Sequence, residues 1–126
     1  MKKEPTVLLV EDEPLLGELM TEALTDHGFD VLTMPDAGSA LRHLLSGADV
    51  DVLFTDIDLG AGMDGVTLAQ IVHEMRPRLP IAYTSGRRSI DHIDGVPGAA
   101  FLPKPYKVDH VGATLQQLIA DGDHRA

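Results

Sequence analysis

The run Val50-Asp51-Val52-Leu53-Phe54-Thr55-Asp56 constrains the fold of this chain more than any other stretch. Its β-branched and aromatic block is too short and too apolar for a surface helix. It reads as a strand buried on both faces, the kind found in parallel sheets with helices on either side. The block stops abruptly at Asp56 and passes through Ile57-Asp58-Leu59 into a glycine-rich loop, Gly60-Ala61-Gly62-Met63-Asp64-Gly65. A carboxylate at the carboxyl end of such a strand stands where open α/β sheets bind ligands, although an Asp there can also simply cap a helix or close a turn.

The flanking sequence supplies the helices that a doubly covered strand requires. Thr6 to Val10 is a second buried strand and runs into Glu11, Asp12 and Glu13. Pro14 suits a first helical turn, Leu15, Leu16, Leu19, Met20, Ala23 and Leu24 follow the helical period, and Gly28 is placed to stop the helix. Phe29 to Met34 is a weaker strand, interrupted by Asp30. Pro35-Asp36 opens a helix with Ala37, Ala40, Leu41, Leu44 and Leu45 on one face, ended by Gly47. After the central strand, Gly65 to Met75 is a third helix and Ile81 to Thr84 a fourth strand, ending at Ser85-Gly86. Between Gly86 and Gly98 there is room for one or two helical turns, capped by Ser89 and running through Ile90 and Ile93, so the fourth helix is expected to be short or irregular. Ala99 to Leu102 is a fifth strand broken by Pro103-Lys104-Pro105. Val108, Val111, Leu115, Leu118 and Ile119 mark the last helix, followed by a frayed tail from Asp121. This βα alternation predicts an α/β fold with a doubly wound five-stranded parallel sheet. We expect one domain over residues 1–126, with its core in 6–120.

Charge and composition narrow the function. Twenty acidic against 10 basic residues give a net charge of −10, which argues against direct nucleic-acid binding, because that runs on phosphate neutralisation. There is no Cys, hence no disulfide framework or thiolate chemistry. Met1-Lys2-Lys3 before Val7-Leu8-Leu9-Val10 briefly imitates a secretion signal, but Glu11, Asp12 and Glu13 end the apolar run. No run approaches the ~18 apolar residues of a membrane span. A cytoplasmic protein without membrane insertion is the expectation.

Right-handed crossovers bring the strand ends to one edge, and with them Glu11, Asp12, Asp56, Ser85 and Lys104. Three carboxylates in one crevice repel unless a cation joins them, and oxygen ligands without His or Cys favour a hard ion such as Mg²⁺. Mg²⁺ at carboxylates commonly handles phosphate. A positioned Lys adds a point charge for phosphoryl oxygens, and an Asp can itself become an acyl phosphate. The set fits phosphoryl transfer onto Asp56.

Val-Leu-Leu-Val-Glu-Asp-Glu-Pro at 7–14, Thr-Asp-Ile-Asp-Leu at 55–59, Met-Asp-Gly at 63–65, Ser-Gly at 85–86 and Lys-Pro at 104–105 together resemble a response-regulator receiver domain. The resemblance implies a flavodoxin-like sheet of order 2-1-3-4-5. It implies that Asp56 accepts a phosphoryl group from a histidine kinase or histidine phosphotransfer protein, with slow autodephosphorylation. Asp12 and Asp56 would ligate Mg²⁺ directly, Glu11 through water, and Asp58 by its backbone carbonyl. Ser85 would be the switch hydroxyl, with Thr84 adjacent, Lys104 the phosphate-binding lysine, Lys104-Pro105 a cis bond, and Phe101 the aromatic switch residue, turning inward from the surface. The loop after Asp56 is longer than usual and lacks the customary Pro. The short helix 4 weakens the usual output face, and Pro80-Ile81-Ala82-Tyr83-Thr84-Ser85-Gly86 is similar to a single-domain subgroup with an altered fourth helix. With no output domain after the last helix, the expected protein is a single-domain regulator. The alternatives are a pseudo-receiver that binds partners without taking phosphate, and a haloacid-dehalogenase-like phosphohydrolase suggested by Asp56-Ile57-Asp58.

Overall fold

The computed structural model describes residues 4–60, 62–86 and 95–123. Five strands, β1 (Thr6–Val10), β2 (Asp30–Met34), β3 (Val52–Asp56), β4 (Ile81–Ser85) and β5 (Ala100–Pro103), form one sheet of order β2-β1-β3-β4-β5. Every neighbouring pair is parallel. The described helices are α1 (Pro14–Asp26), α2 (Ala37–Leu45), α3 (Gly65–Met75) and, after β5, α4 (Val108–Asp123). The flavodoxin-like arrangement expected from the sequence is thus the one observed. The short helix expected around Ser89, Ile90 and Ile93 lies outside the described residues.

The sheet divides the core in two. On one face Leu8, Val10, Leu53, Ile57 and Tyr83 pack against Ala40 and Leu44 of α2 and Leu68 and Val72 of α3. On the other, Val7, Leu9, Phe54 and Leu102 meet Met20 and Leu24 of α1 and Val111 and Leu115 of α4. Alternate residues of one strand feed the two clusters, which is why β3 is buried throughout and carries no apolar–polar alternation.

The helix ends follow the punctuation. Pro14 occupies the first turn of α1. At its far end Gly28 takes a left-handed φ of 90°, its N–H reaches the Thr25 carbonyl, and Phe29 N–H reaches the Leu24 carbonyl, a Schellman closure that sinks Phe29 into the core. Asp36 and Asp64 cap α2 and α3 by accepting from Ser39 N–H (2.7 Å) and Thr67 N–H (2.8 Å).

Among the boundaries that differ from expectation, three have a plain physical reason. β2 starts at Asp30, an exposed position on an edge strand where a charge is tolerated. β5 includes Pro103, because β5 is the other edge and a missing N–H there need not break the ladder. The tail from Asp121 does not fray at once. α4 runs to Asp123, with the Asp121 carboxylate accepting from Gln117 Nε2 at 2.8 Å and Gly122 seated against Pro80.

Candidate functional site

The parallel sheet delivers the ends of β1, β3, β4 and β5 to one edge, where a cleft of about 640 Å³ is lined by Asp12, Glu13, Asp56, Asp58, Gly60, Asp64, Gly86 and Lys104 among others. Oxygens of Glu11, Asp12 and Asp56 all lie within 4.8 Å of one another. Glu11 and Asp56 are buried while Asp12 faces the cleft. From β5, Lys104 Nζ reaches Asp56 Oδ2 at 3.0 Å and Glu11 Oε1 at 3.6 Å. A cleft of similar volume, about 630 Å³, opens at the opposite edge between Asp51, Arg76, Arg78 and Ile119, away from the acid cluster.

Backbone donors fix the carboxylates. Asp58 N–H donates to Asp56 Oδ1 at 3.0 Å, and Glu13 N–H donates to Glu11 Oε2 at 3.2 Å. The turn after β3 is tight: Gly65 N–H donates to the Ile57 carbonyl at 2.9 Å, bringing the start of α3 against the backbone of Asp56. Gly60 lets the loop pass Asp12, since a Cβ there would sit 3.0 Å from Asp12 Oδ2.

Burial pushes the Glu11 carboxyl up. The Glu13 N–H and Lys104 pull it down, Asp56 and Asp12 push it further up, and the net direction is upward. Burial alone would lower the Lys104 ammonium, but its hydrogen bond to Asp56 and the charges of Asp56 and Glu11 outweigh that and raise it. Because Glu11 holds its proton more tightly folded than unfolded, folding stability falls as pH rises through that raised value, and the loss is complete above it. Glu11→Gln should therefore raise the thermal midpoint at neutral pH without metal, and the gain should vanish below the ordinary carboxylate range. A variant no more stable than wild type at neutral pH would contradict this.

Of the switch candidates, Ser85 Oγ donates to Asp58 Oδ2 at 2.7 Å, and the Ser85 carbonyl accepts Lys104 N–H at 3.0 Å. Thr84 pairs in register with Asp56 but projects to the opposite face of the sheet from Ser85, and its buried hydroxyl has no hydrogen-bond partner among the described residues. Phe101 lies beside Tyr83 in register and is partly buried, packed against the α2 and α3 cluster. The Lys104-Pro105 peptide bond is cis.

Three participants were not anticipated from the sequence. One is the Asp58 side chain. The second is the Tyr83 hydroxyl, which accepts Val96 N–H at 2.9 Å. The third is Tyr106, tilted against Phe54 with ring centroids 6.3 Å apart. The aromatic residue straight after Lys104-Pro105 was the only hint of it.

The model of the response regulator receiver domain matches residues 7–116. The chain belongs to the response-regulator receiver family. This receiver domain is 33% identical over 119 residues to the transcriptional regulatory protein TcrA of Mycobacterium tuberculosis, covering 92% of this chain and 46% of that protein. It is 30% identical over 117 residues to the nitrogen assimilation regulatory protein NtrX of Azorhizobium caulinodans, covering 90% and 26%. The chain thus spans about half or less of the length of these curated relatives. A response regulator receiver protein from Sinorhizobium medicae superposes with a TM-score of 0.89 at 32% identity, covering 94% of this chain and 97% of that one.

Receiver domains generally bind Mg²⁺, and the donor set here fits it: three carboxylates from the ends of two adjacent strands, with no nitrogen or sulfur ligand in the cluster among the described residues. Family membership sets aside the phosphohydrolase alternative. Among the described residues no helix is long and apolar enough to cross a membrane.

Proposed function

We propose that Asp56 is the phosphoryl acceptor of this two-component receiver domain, which takes its phosphate from a phosphohistidine on a histidine kinase or a phosphotransfer protein. The observation that supports the reading is the Lys104–Asp56 contact of 3.0 Å beside the Glu11, Asp12 and Asp56 cluster, where a carboxylate, a cation and a group of acids meet at one point. An Asp56 carboxylate oxygen attacks phosphorus. The O–P bond forms as the P–N bond of the donor breaks, and the imidazole nitrogen keeps the electron pair and later takes a proton from solvent. Lys104 neutralises a phosphoryl oxygen, and Asp58 N–H holds the second carboxylate oxygen in place. Asp12, Asp56 and the Asp58 backbone carbonyl would hold Mg²⁺, with Glu11 acting through water. When bound, the ion supplies charge neutralisation for the transferring phosphoryl group. Ser85 would then turn its hydroxyl toward the phosphoryl, with Phe101 responding behind it on the same face of the sheet.

Beryllofluoride, a phosphoryl mimic, should bind only when Mg²⁺ is present. A domain that binds it without Mg²⁺ dependence, or not at all, is the pseudo-receiver. Asp12→Ala should weaken Mg²⁺ binding by about tenfold or more, as expected for loss of a direct carboxylate ligand. An unchanged Mg²⁺ titration would remove Asp12 from the ligand set.

A further inference from the structure

We infer that the Asp58 carboxylate is a latch on Ser85 that opposes the phosphorylated state. The inference rests on Asp56 being the acceptor. Ser85 Oγ donates to Asp58 Oδ2 at 2.7 Å, a bond to a carboxylate and therefore stronger than one to a neutral oxygen. Ser85 is 1% exposed, so its hydroxyl has little recourse to water. A hydroxyl carries one proton. It cannot donate fully to Asp58 and to a phosphoryl oxygen on Asp56 at once.

The same residues tie the two ends together. Asp58 N–H holds Asp56 Oδ1 at 3.0 Å, so the residue that keeps the acceptor in position also keeps Ser85 turned toward its own side chain. The Ser85 carbonyl accepts Lys104 N–H at 3.0 Å, so a shift of Ser85 is felt directly at the lysine that faces Asp56. Phosphoryl binding therefore competes with an interaction that exists only in the resting state. A ligand shifts a two-state equilibrium only by its differential affinity, and the latch subtracts from that difference. Asp58 is thus a positioning residue that sets how readily the switch is thrown.

The test is a double-mutant cycle on beryllofluoride affinity at saturating Mg²⁺, with Mg²⁺ affinity measured separately in each protein. Asp58→Ala should bind the mimic about tenfold more tightly than wild type, the scale of a lost hydrogen bond to a charged acceptor. Asp58→Asn, which keeps an acceptor oxygen without the charge, should fall between the two and guards against a misfolded alanine variant. In a Ser85→Ala background the same Asp58 substitutions should gain much less, the remainder reporting what the Asp58 carboxylate does apart from the serine hydroxyl. If the Asp58 gain is as large without the serine hydroxyl as with it, or if Asp58→Ala binds no more tightly than wild type, the latch is overturned while Asp56 stands as acceptor. If wild type takes up no mimic in Mg²⁺, the acceptor reading itself fails and the latch falls with it.

Discussion

Asp56→Asn should take up no phosphoryl group from a small-molecule phosphodonor in Mg²⁺, with the intact mass showing no phosphate adduct where the wild-type protein shows one. An amide oxygen is a poor nucleophile, and the substitution also removes one of the three carboxylates clustered at the strand ends. The fold should survive, because Asn matches Asp in volume and keeps an oxygen that can accept from Asp58 N–H or from Lys104 Nζ, which lie 3.0 Å from the native carboxylate. An Asp56→Asn protein that still gains one phosphate at the wild-type rate would place the acceptor elsewhere.

Gly65→Ala should be the most damaging small substitution near the site. A Cβ at Gly65 would run into the Asp56 carbonyl oxygen and would sit 2.9 Å from both the Asp56 carbonyl carbon and Ile57 Cα. All are backbone atoms, so no side chain can swing away. α3 would have to back off, and with it goes the Gly65 N–H bond to the Ile57 carbonyl. The expected cost is about 2–4 kcal/mol in urea unfolding, the range for overpacking combined with a lost buried hydrogen bond. Mg²⁺ affinity should fall as well, since the displaced loop carries Asp58 and adjoins Asp56. A cost below about 0.5 kcal/mol, the size of an ordinary surface change, would show that the turn has slack.

The fold was readable because its signals were local and agreed with one another. Apolar blocks bounded by acids gave β1 and β3, Gly28 and Gly47 stopped two helices in left-handed geometry, and Gly65 began α3 where the pattern put it. The gathering of Glu11, Asp12, Asp56 and Lys104 followed from parallel topology alone, since every strand ends at the same edge. What the sequence did not yield is cross-strand side-chain geometry. The resemblance set Ser85 beside Thr84 as the switch hydroxyl, but only the pleat shows that their side chains part to opposite faces. The Ser85–Asp58 bond joins positions 27 apart in sequence, and the Tyr83–Val96 bond depends on how the chain returns before β5.

The end of β5 has a meaning beyond the site. Lys104 N–H points inward to the Ser85 carbonyl, so by alternation the nitrogen of residue 103 points outward, toward the open margin of the sheet. That residue is proline. A foreign strand laid along this margin would find, level with the acid cluster, a ring where the next amide should be. Recruitment of another chain by simple sheet extension is discouraged there.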